Sequence, residues 1–228
     1  MSPSSASPSQ LDGSSLDEHN NRINNLLESV NFDEMDADAI LAWAAQNFSV
    51  ERVMLNTSLQ MAGVAMIHLA ATAHLPIRIA TIDTLRLPQE TYAFLRELEE
   101  RYDIDIEVQR PDPEKVKRMV RRFGEFLFFD GKHLQEHCCQ VRKVFPNNEL
   151  MKTADCWISG VRRDQSELRR ETPKGTSVTE YGWSRRIMRL NPMADWSQER
   201  LTAFVEEHDV PQHPLYAAGY QSIGCVIC

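Results

Sequence analysis

The chain has 228 residues, 42% hydrophobic and 25% charged, enough for one sizeable core in one large or two small domains. Its net charge of −8 argues against general nucleic-acid binding, which would want a basic face, and no apolar run approaches the roughly 20 residues of a membrane span. Five cysteines, an odd number gathered mostly into two motifs, fit a reducing compartment better than a disulfide framework. The N-terminus lacks the basic start and apolar middle of a secretory signal, so the expected location is the cytoplasm.

Residues 1–18 begin with a Ser/Pro-rich stretch almost devoid of large apolar groups, which cannot offset the entropy of ordering, so a disordered tail is expected there. Residues 19–228 are expected to form a single α/β domain. Ile23, Leu26, Leu27 and Val30 recur at helical spacing, and a second helix carries Ile40, Leu41, Trp43, Ala44 and Phe48 with Asp36 or Asp38 as its cap. From Arg52 the pattern changes. Val53-Met54-Leu55 reads as a strand, Val64, Ile67 and Ala71 as a helix, and Ile77–Asp83 as a second strand. Pro88 suits the first turn of the next helix, which carries Tyr92, Leu95, Leu98 and Tyr102. Ile104–Val108 alternates as a third strand, and Pro113–Phe123 reads as a helix. Cys156–Val161 reads as a buried strand, Val178–Trp183 and Ile187–Leu190 as shorter extended pieces, and Ser197–His208 as a helix capped by Asp195 or Ser197. This alternation predicts parallel crossovers and a three-layer sheet.

Charge is spread unevenly. Val141–Leu190 holds 11 Lys and Arg against 6 Asp and Glu, a local balance of +5 that leaves −13 for the remainder. A basic middle in an acidic chain suits either a pocket for a small anionic ligand or a solvated face. Three features fall where an open α/β sheet binds ligands, at the carboxyl ends of its strands. The turn Asn56–Gly63, with Ser58 at its centre, could present hydroxyl and N–H groups to a phosphate or form a plain turn. Asp83 and Thr84 could hydrogen-bond a nucleotide or cap a helix. Arg162 and Arg163 could grip oxyanions or sit as surface charge.

The tandem Cys138-Cys139 and the distant Cys225-Val226-Ile227-Cys228 supply four thiolates, the number a cubane iron–sulfur cluster or a closed zinc site requires. Arg142 and Lys143 place fixed positive charge beside them, which offsets the negative charge of a thiolate-ligated cluster. Cys156, on a buried strand, reads as an inert core thiol, and His137 and His213 as structural histidines.

The strings CCQVRKV, ISGVRRDQSE and HPLYAAGYQSIGCVIC, with TSLQMAGVAMIHL, TIDTLRLPQETY and LNPMADWSQE, resemble the assimilatory adenylyl-sulfate reductases of the phosphoadenylyl-sulfate reductase family, from about Asn47 to Cys228. The resemblance implies a PP-loop, adenine-nucleotide α-hydrolase-like fold and thioredoxin-dependent reduction of adenylyl sulfate to sulfite and AMP. It implies that Cys138, Cys139, Cys225 and Cys228 ligate a [4Fe-4S] cluster, and this cysteine set favours adenylyl sulfate over its 3′-phosphorylated form. Ser58 would lie on the phosphate side, Asp83 and Thr84 would face the nucleoside, and Lys143 would stand between cluster and substrate. Arg162 or Arg163 would hold the phosphosulfate. Gln60 stands where relatives often have Gly. The family's nucleophilic cysteine, in a Glu-Cys-Gly-Leu-like motif of a further C-terminal segment, has no counterpart in these 228 residues, so no catalytic residue is assigned. A non-catalytic cluster and nucleotide binder, or a zinc-stapled PP-loop ATP pyrophosphatase, are the alternative readings. Expected partners are adenylyl sulfate and thioredoxin, with no nucleic acid and no membrane; the sequence is compatible with a homo-oligomer without specifying one.

Overall fold

A computed structural model describes residues 13–179 and 184–227. Strands β1 (Val53–Thr57), β2 (Arg78–Ile82), β3 (Ile106–Gln109), β4 (Cys156–Ser159), β5 (Gly175–Val178) and β6 (Ile187–Leu190) form one sheet in the order β3-β2-β1-β4-β6-β5. All neighbours are parallel except β5 and β6. The helices are α1 (Gly13–Glu28), α2 (Ala37–Asn47), α3 (Met61–Thr72), α4 (Gln89–Tyr102), α5 (Pro113–Phe123), α6 (Lys132–Cys139), α7 (Phe145–Thr153) and α8 (Gln198–Glu207). None among the described residues is long and apolar enough to cross a membrane.

The layers follow from the two-residue period of the strands. Val53, Leu55, Ile79, Ile106, Cys156, Ile158, Met188 and Leu190 share one core with α1 to α4 and α8. Met54, Ala80 and Ile187 point the other way, onto Leu150 and Met151 of α7. This is the three-layer α/β arrangement read from the strand–helix alternation. Helix α3 is buried continuously from Ala62 to Ile67, as suits the central helix of the larger core. Each such fully buried aliphatic side chain contributes about 1.5–3 kcal/mol.

Several boundaries move, each for a local reason. Helix α1 starts at Gly13, so residues 13–18, expected in the tail, are helical. Long-range bonds hold that helix, His19 Nε2 to Arg186 O at 2.9 Å and Asn20 Nδ2 to Ser184 O at 2.9 Å. Residues 1–12 lie outside the described residues. Ile104 drops out of β3 because Asp103 adopts a left-handed conformation (φ 51°) that ends α4 and sends the Ile104 N–H back to Glu99 O. Strand β4 stops at Ser159 and not Val161, because Gly160 passes against α3. The extended piece expected over Val178–Trp183 is centred earlier, at β5, where Gly175 leaves room for the Phe32 ring; residues 180–183 lie outside the described residues. Ser197 is the cap of α8, its Oγ accepting from Arg200 N at 3.1 Å.

Candidate functional site

Strand β1 lies between β2 and β4, so the sheet order reverses there and opens a crevice at the carboxyl ends of β1 and β4. The β1–α3 turn enters that crevice. Thr57 Oγ1 accepts the Leu59 N–H at 2.9 Å, and Leu59 sits in the left-handed region at φ 57°. Two glycines make the approach close. A Cβ on Gly63 would collide with Thr57 Oγ1, while one on Gly160 would stand 3.3 Å from Ala62 Cβ and from Gly63 N. The exit of β4 is thereby pressed onto the first turn of α3, whose leading N–H groups have no partners within the helix. Ser58 is exposed at the tip, its Oγ accepting from Gln60 Nε2 at 3.1 Å.

Tyr216, which the sequence did not single out, stands over this helix start. Its hydroxyl oxygen lies 3.4 Å from Met61 N and accepts that N–H. Burial pushes the phenol pKa up, against the opposing effects of the Met61 bond and the Arg162 charge. The segment carrying Tyr216 is anchored by His213, which is buried, accepts Leu215 N–H at Nδ1 and so donates from Nε2 to Thr91 Oγ1 at 2.9 Å. Burial lowers the His213 pKa and keeps the ring neutral, in line with a structural histidine.

The two arginines after β4 part company. Arg162 is buried, donating from Nε to Asp164 Oδ1 at 3.0 Å and from Nη2 to Gln198 Oε1 at 2.7 Å. Arg163 turns to Asp33 Oδ1 at 3.0 Å and Thr172 O at 2.8 Å. Both guanidiniums therefore have partners within the protein. Arg162 is the one whose charge reaches Tyr216 and the crevice.

After β2, Asp83 is 2% exposed and its carboxylate is saturated. Oδ1 accepts from Leu85 N and from Tyr92 OH, both at 2.8 Å, and Oδ2 accepts from Arg110 Nε at 3.0 Å. Burial first, and then Asp83, pushes the Tyr92 phenol up to about 12. The bonds fix the turn in which Leu85 takes φ 60°. Thr84 is carried by that turn, with its Oγ1 3.1 Å from Cys225 Sγ and its carbonyl accepting from Arg142 Nη1 at 3.1 Å.

The tandem cysteines close α6, and the chain continues through a π-helical turn (Gln140–Val144) into α7 without leaving helical geometry. Pro146 has no N–H for the preceding turn, and the turn before it is wound wide, Phe145 N bonding to Gln140 O. Asn56 Nδ2 donates to Asn147 Oδ1 at 2.6 Å, tying this helix to the end of β1. Adjacent helical positions point about 100° apart; accordingly Cys138 is buried and Cys139 exposed. Cys138 shares a buried cluster with Leu127 and Phe128, Ile227 packs against that cluster, and Val226 N bonds to Arg86 O at 2.9 Å. The C-terminal segment thus reaches the helix that bears the first pair. Burial raises the Cys138 thiol pKa, Arg142 and Arg86 oppose the rise, and Cys225 is close enough to add to it. Lys143 is exposed on the π turn. Cys156 is sealed in the core, its pKa raised by burial, as expected of an inert thiol.

Cys228 lies outside the described residues, and among the described ones no group of three or more His, Cys, Asp and Glu could hold a metal. Two features nevertheless suit an anionic thiolate-bound group. Cys138 and Cys225 lie within electrostatic reach of each other, and the Nε atoms of Arg86 and Arg142 are buried without an acceptor.

A family model described as "Phosphoadenosine phosphosulfate reductase domain" matches residues 52–228. The adenosine 5'-phosphosulfate reductase of Allochromatium vinosum is 35% identical over 179 residues, which are 78% of this chain and 68% of that protein. The phosphoadenylyl-sulfate reductase of Candida auris superposes with a TM-score of 0.72 at 20% identity, over 96% of this chain and 98% of the other. The FMN adenylyltransferase of Candida glabrata shares the fold more distantly, with a TM-score of 0.52 at 15% identity over 92% and 73% of the two chains. The family match spans both cleft turns and both cysteine pairs, and on that footing the chain belongs to the phosphoadenosine phosphosulfate reductase domain family, oxidoreductases on a PP-loop fold.

Proposed function

We propose that the chain is an adenylyl-sulfate reductase: it binds adenylyl sulfate at the switch point between β1 and β4 and serves its reduction to sulfite and AMP, with thioredoxin as reductant. The observation that carries the reading is that the α3 helix start, Arg162 and the Cys138–Cys225 pair all lie at the carboxyl end of one sheet. Ser58 and the first N–H groups of α3 take the phosphate. Thr84 and the turn held by Asp83 lie on the nucleoside side, Arg162 and Lys143 balance the phosphosulfate charge, and Arg163 braces the loop. Cys138, Cys139, Cys225 and Cys228 hold a [4Fe-4S] cluster. Bound there, the cluster supplies a fixed charged body beside the cleft and ties the C-terminal segment to the cysteine helix.

In the reaction a thiolate attacks the sulfate sulfur, the bond to the bridging phosphate oxygen breaks, and AMP leaves. The resulting S-sulfocysteine gives up sulfite as the thioredoxin dithiol becomes a disulfide. Of the five cysteines here, four are proposed ligands and Cys156 is sealed. A polypeptide of these 228 residues is therefore expected to bind adenylyl sulfate without releasing sulfite, as a cluster and nucleotide binder does. Sulfite assay with adenylyl sulfate, thioredoxin and its reducing system tests this. Sustained turnover by the 228-residue form would overturn the thiol assignment, and zinc without iron or sulfide in anaerobically isolated protein would favour the pyrophosphatase reading.

A further inference from the structure

Helix α5 carries five Lys and Arg against one Glu in eleven residues, in a chain of net charge −8. Lys115, Arg118 and Arg122 fall at i, i+3 and i+7 and share one stripe. That stripe lines an open cavity of about 400 Å³ whose far wall is the cysteine-bearing helix, through His137, Val141 and Phe145. No Asp or Glu lines it. Among the described residues, Arg118 and Arg122 form no salt bridge. Asp112, whose carboxyl the Lys115 and Arg118 charges reach, is engaged as the α5 cap, accepting from Glu114 N and Lys115 N. Aromatic faces back two of the cations: Lys115 Nζ lies 4.6 Å from the Phe145 ring centroid and Arg122 Cζ 5.0 Å from that of Phe123.

Three like charges around one hollow repel each other, and an anion filling it removes that cost. The cavity is also separate from the cleft. His137, Val141 and Phe145 face α5, whereas Cys138 and Arg142, one position further round the helix, face Thr84 and the C-terminal segment. We propose that the groove between α5 and the cysteine helix is a second anion site, taking a small ligand with two or more phosphate-type groups. The wall it shares with Cys138 makes it a site from which such a ligand can act on the cysteine helix.

Calorimetric titration of the whole chain with inorganic tripolyphosphate, and in a second arm with ATP, tests this without any activity readout. The Arg118→Glu/Arg122→Glu variant is expected to bind tripolyphosphate at least about tenfold more weakly, as loss of two charge-assisted contacts requires. Lys117→Glu/Arg121→Glu makes the same charge change on the other side of α5 and is expected to bind as the wild type does. Arg118→Gln/Arg122→Gln, checked by thermal unfolding, guards against misfolding and is expected to lose affinity in the same sense. Tripolyphosphate and ATP binding alike assigns the phosphates; tighter ATP binding that the same variant abolishes assigns a nucleotide. Equal weakening by both charge reversals would mean general electrostatics, and no change in either, or no tripolyphosphate binding to the wild type, would equally overturn the proposal.

Discussion

Cys138→Ala protein, isolated without oxygen, is expected to carry at least about tenfold less iron and sulfide than the wild type, which should hold about four of each per chain. The thiol is buried among Leu127, Phe128 and Val141, and the charges of Arg142, Arg86 and Cys225 all reach it. Losing it would remove an anionic ligand from beside the Arg142 and Arg86 charges, whose Nε atoms are buried without an acceptor. Such uncompensated polar burial costs about 1–3 kcal/mol per group, so the C-terminal segment should loosen as well. Cys156→Ala is the control. That residue lies in the core beneath the sheet's other face, and its removal should cost stability while leaving iron and sulfide unchanged. Iron content measured with inorganic sulfide decides the point, and retention of both by Cys138→Ala would remove this residue from the ligand set.

Asp83→Ala is expected to destabilise the protein by about 3 kcal/mol, because the buried carboxylate accepts two charge-assisted hydrogen bonds, from the half-buried Tyr92 hydroxyl and the Leu85 N–H, and both are lost. For a chain of this length that lowers Tm by about 6–12 °C. The bond to Arg110 adds little, since that guanidinium is largely exposed. Nucleotide affinity should fall with it, because the turn that carries Thr84 to Cys225 loses its brace. Thermal unfolding beside nucleotide titration separates a positioning residue from a direct ligand: an unchanged Tm with lost affinity would make Asp83 a contact to the nucleoside instead.

The alternation from Arg52 to Phe123 was legible because each strand is a short apolar run and each helix keeps its own period. The approach of Cys225 to Cys138 was foreseeable because chemistry confines two paired-cysteine motifs to few uses. What escaped depends on distance along the chain. The tandem cysteines lie in a helix whose apolar residues Leu134, Val141 and Phe145 do recur at helical spacing, but Phe145-Pro146 reads as a break until the wide turn before it is seen. Strand β5 is Gly-Thr-Ser-Val, an edge strand with no buried residue, so it carries no apolar alternation. Helix α1 is held at His19 and Asn20 by carbonyls more than 160 residues away. Arg162 reads as a freely available cation, yet Asp164 and Gln198 hold it in place. Tyr216 approaches the start of α3 across 155 positions, which no local pattern encodes. The basic stripe of α5 vanished into the −13 of the chain outside Val141–Leu190, since charge averaged over a sequence ignores which residues share a groove.

The proposed nucleotide cleft lies where β1 and β4 part, bounded by the α3 helix start. Backbone hydrogen exchange with and without adenylyl sulfate measures this most directly. Slowed exchange should concentrate at residues 57–63, 84–86 and 159–163, with Tyr216 and its neighbours following as the cleft closes around the ligand. Protection confined to other segments, or tight binding that leaves all three turns exchanging as before, would contradict it.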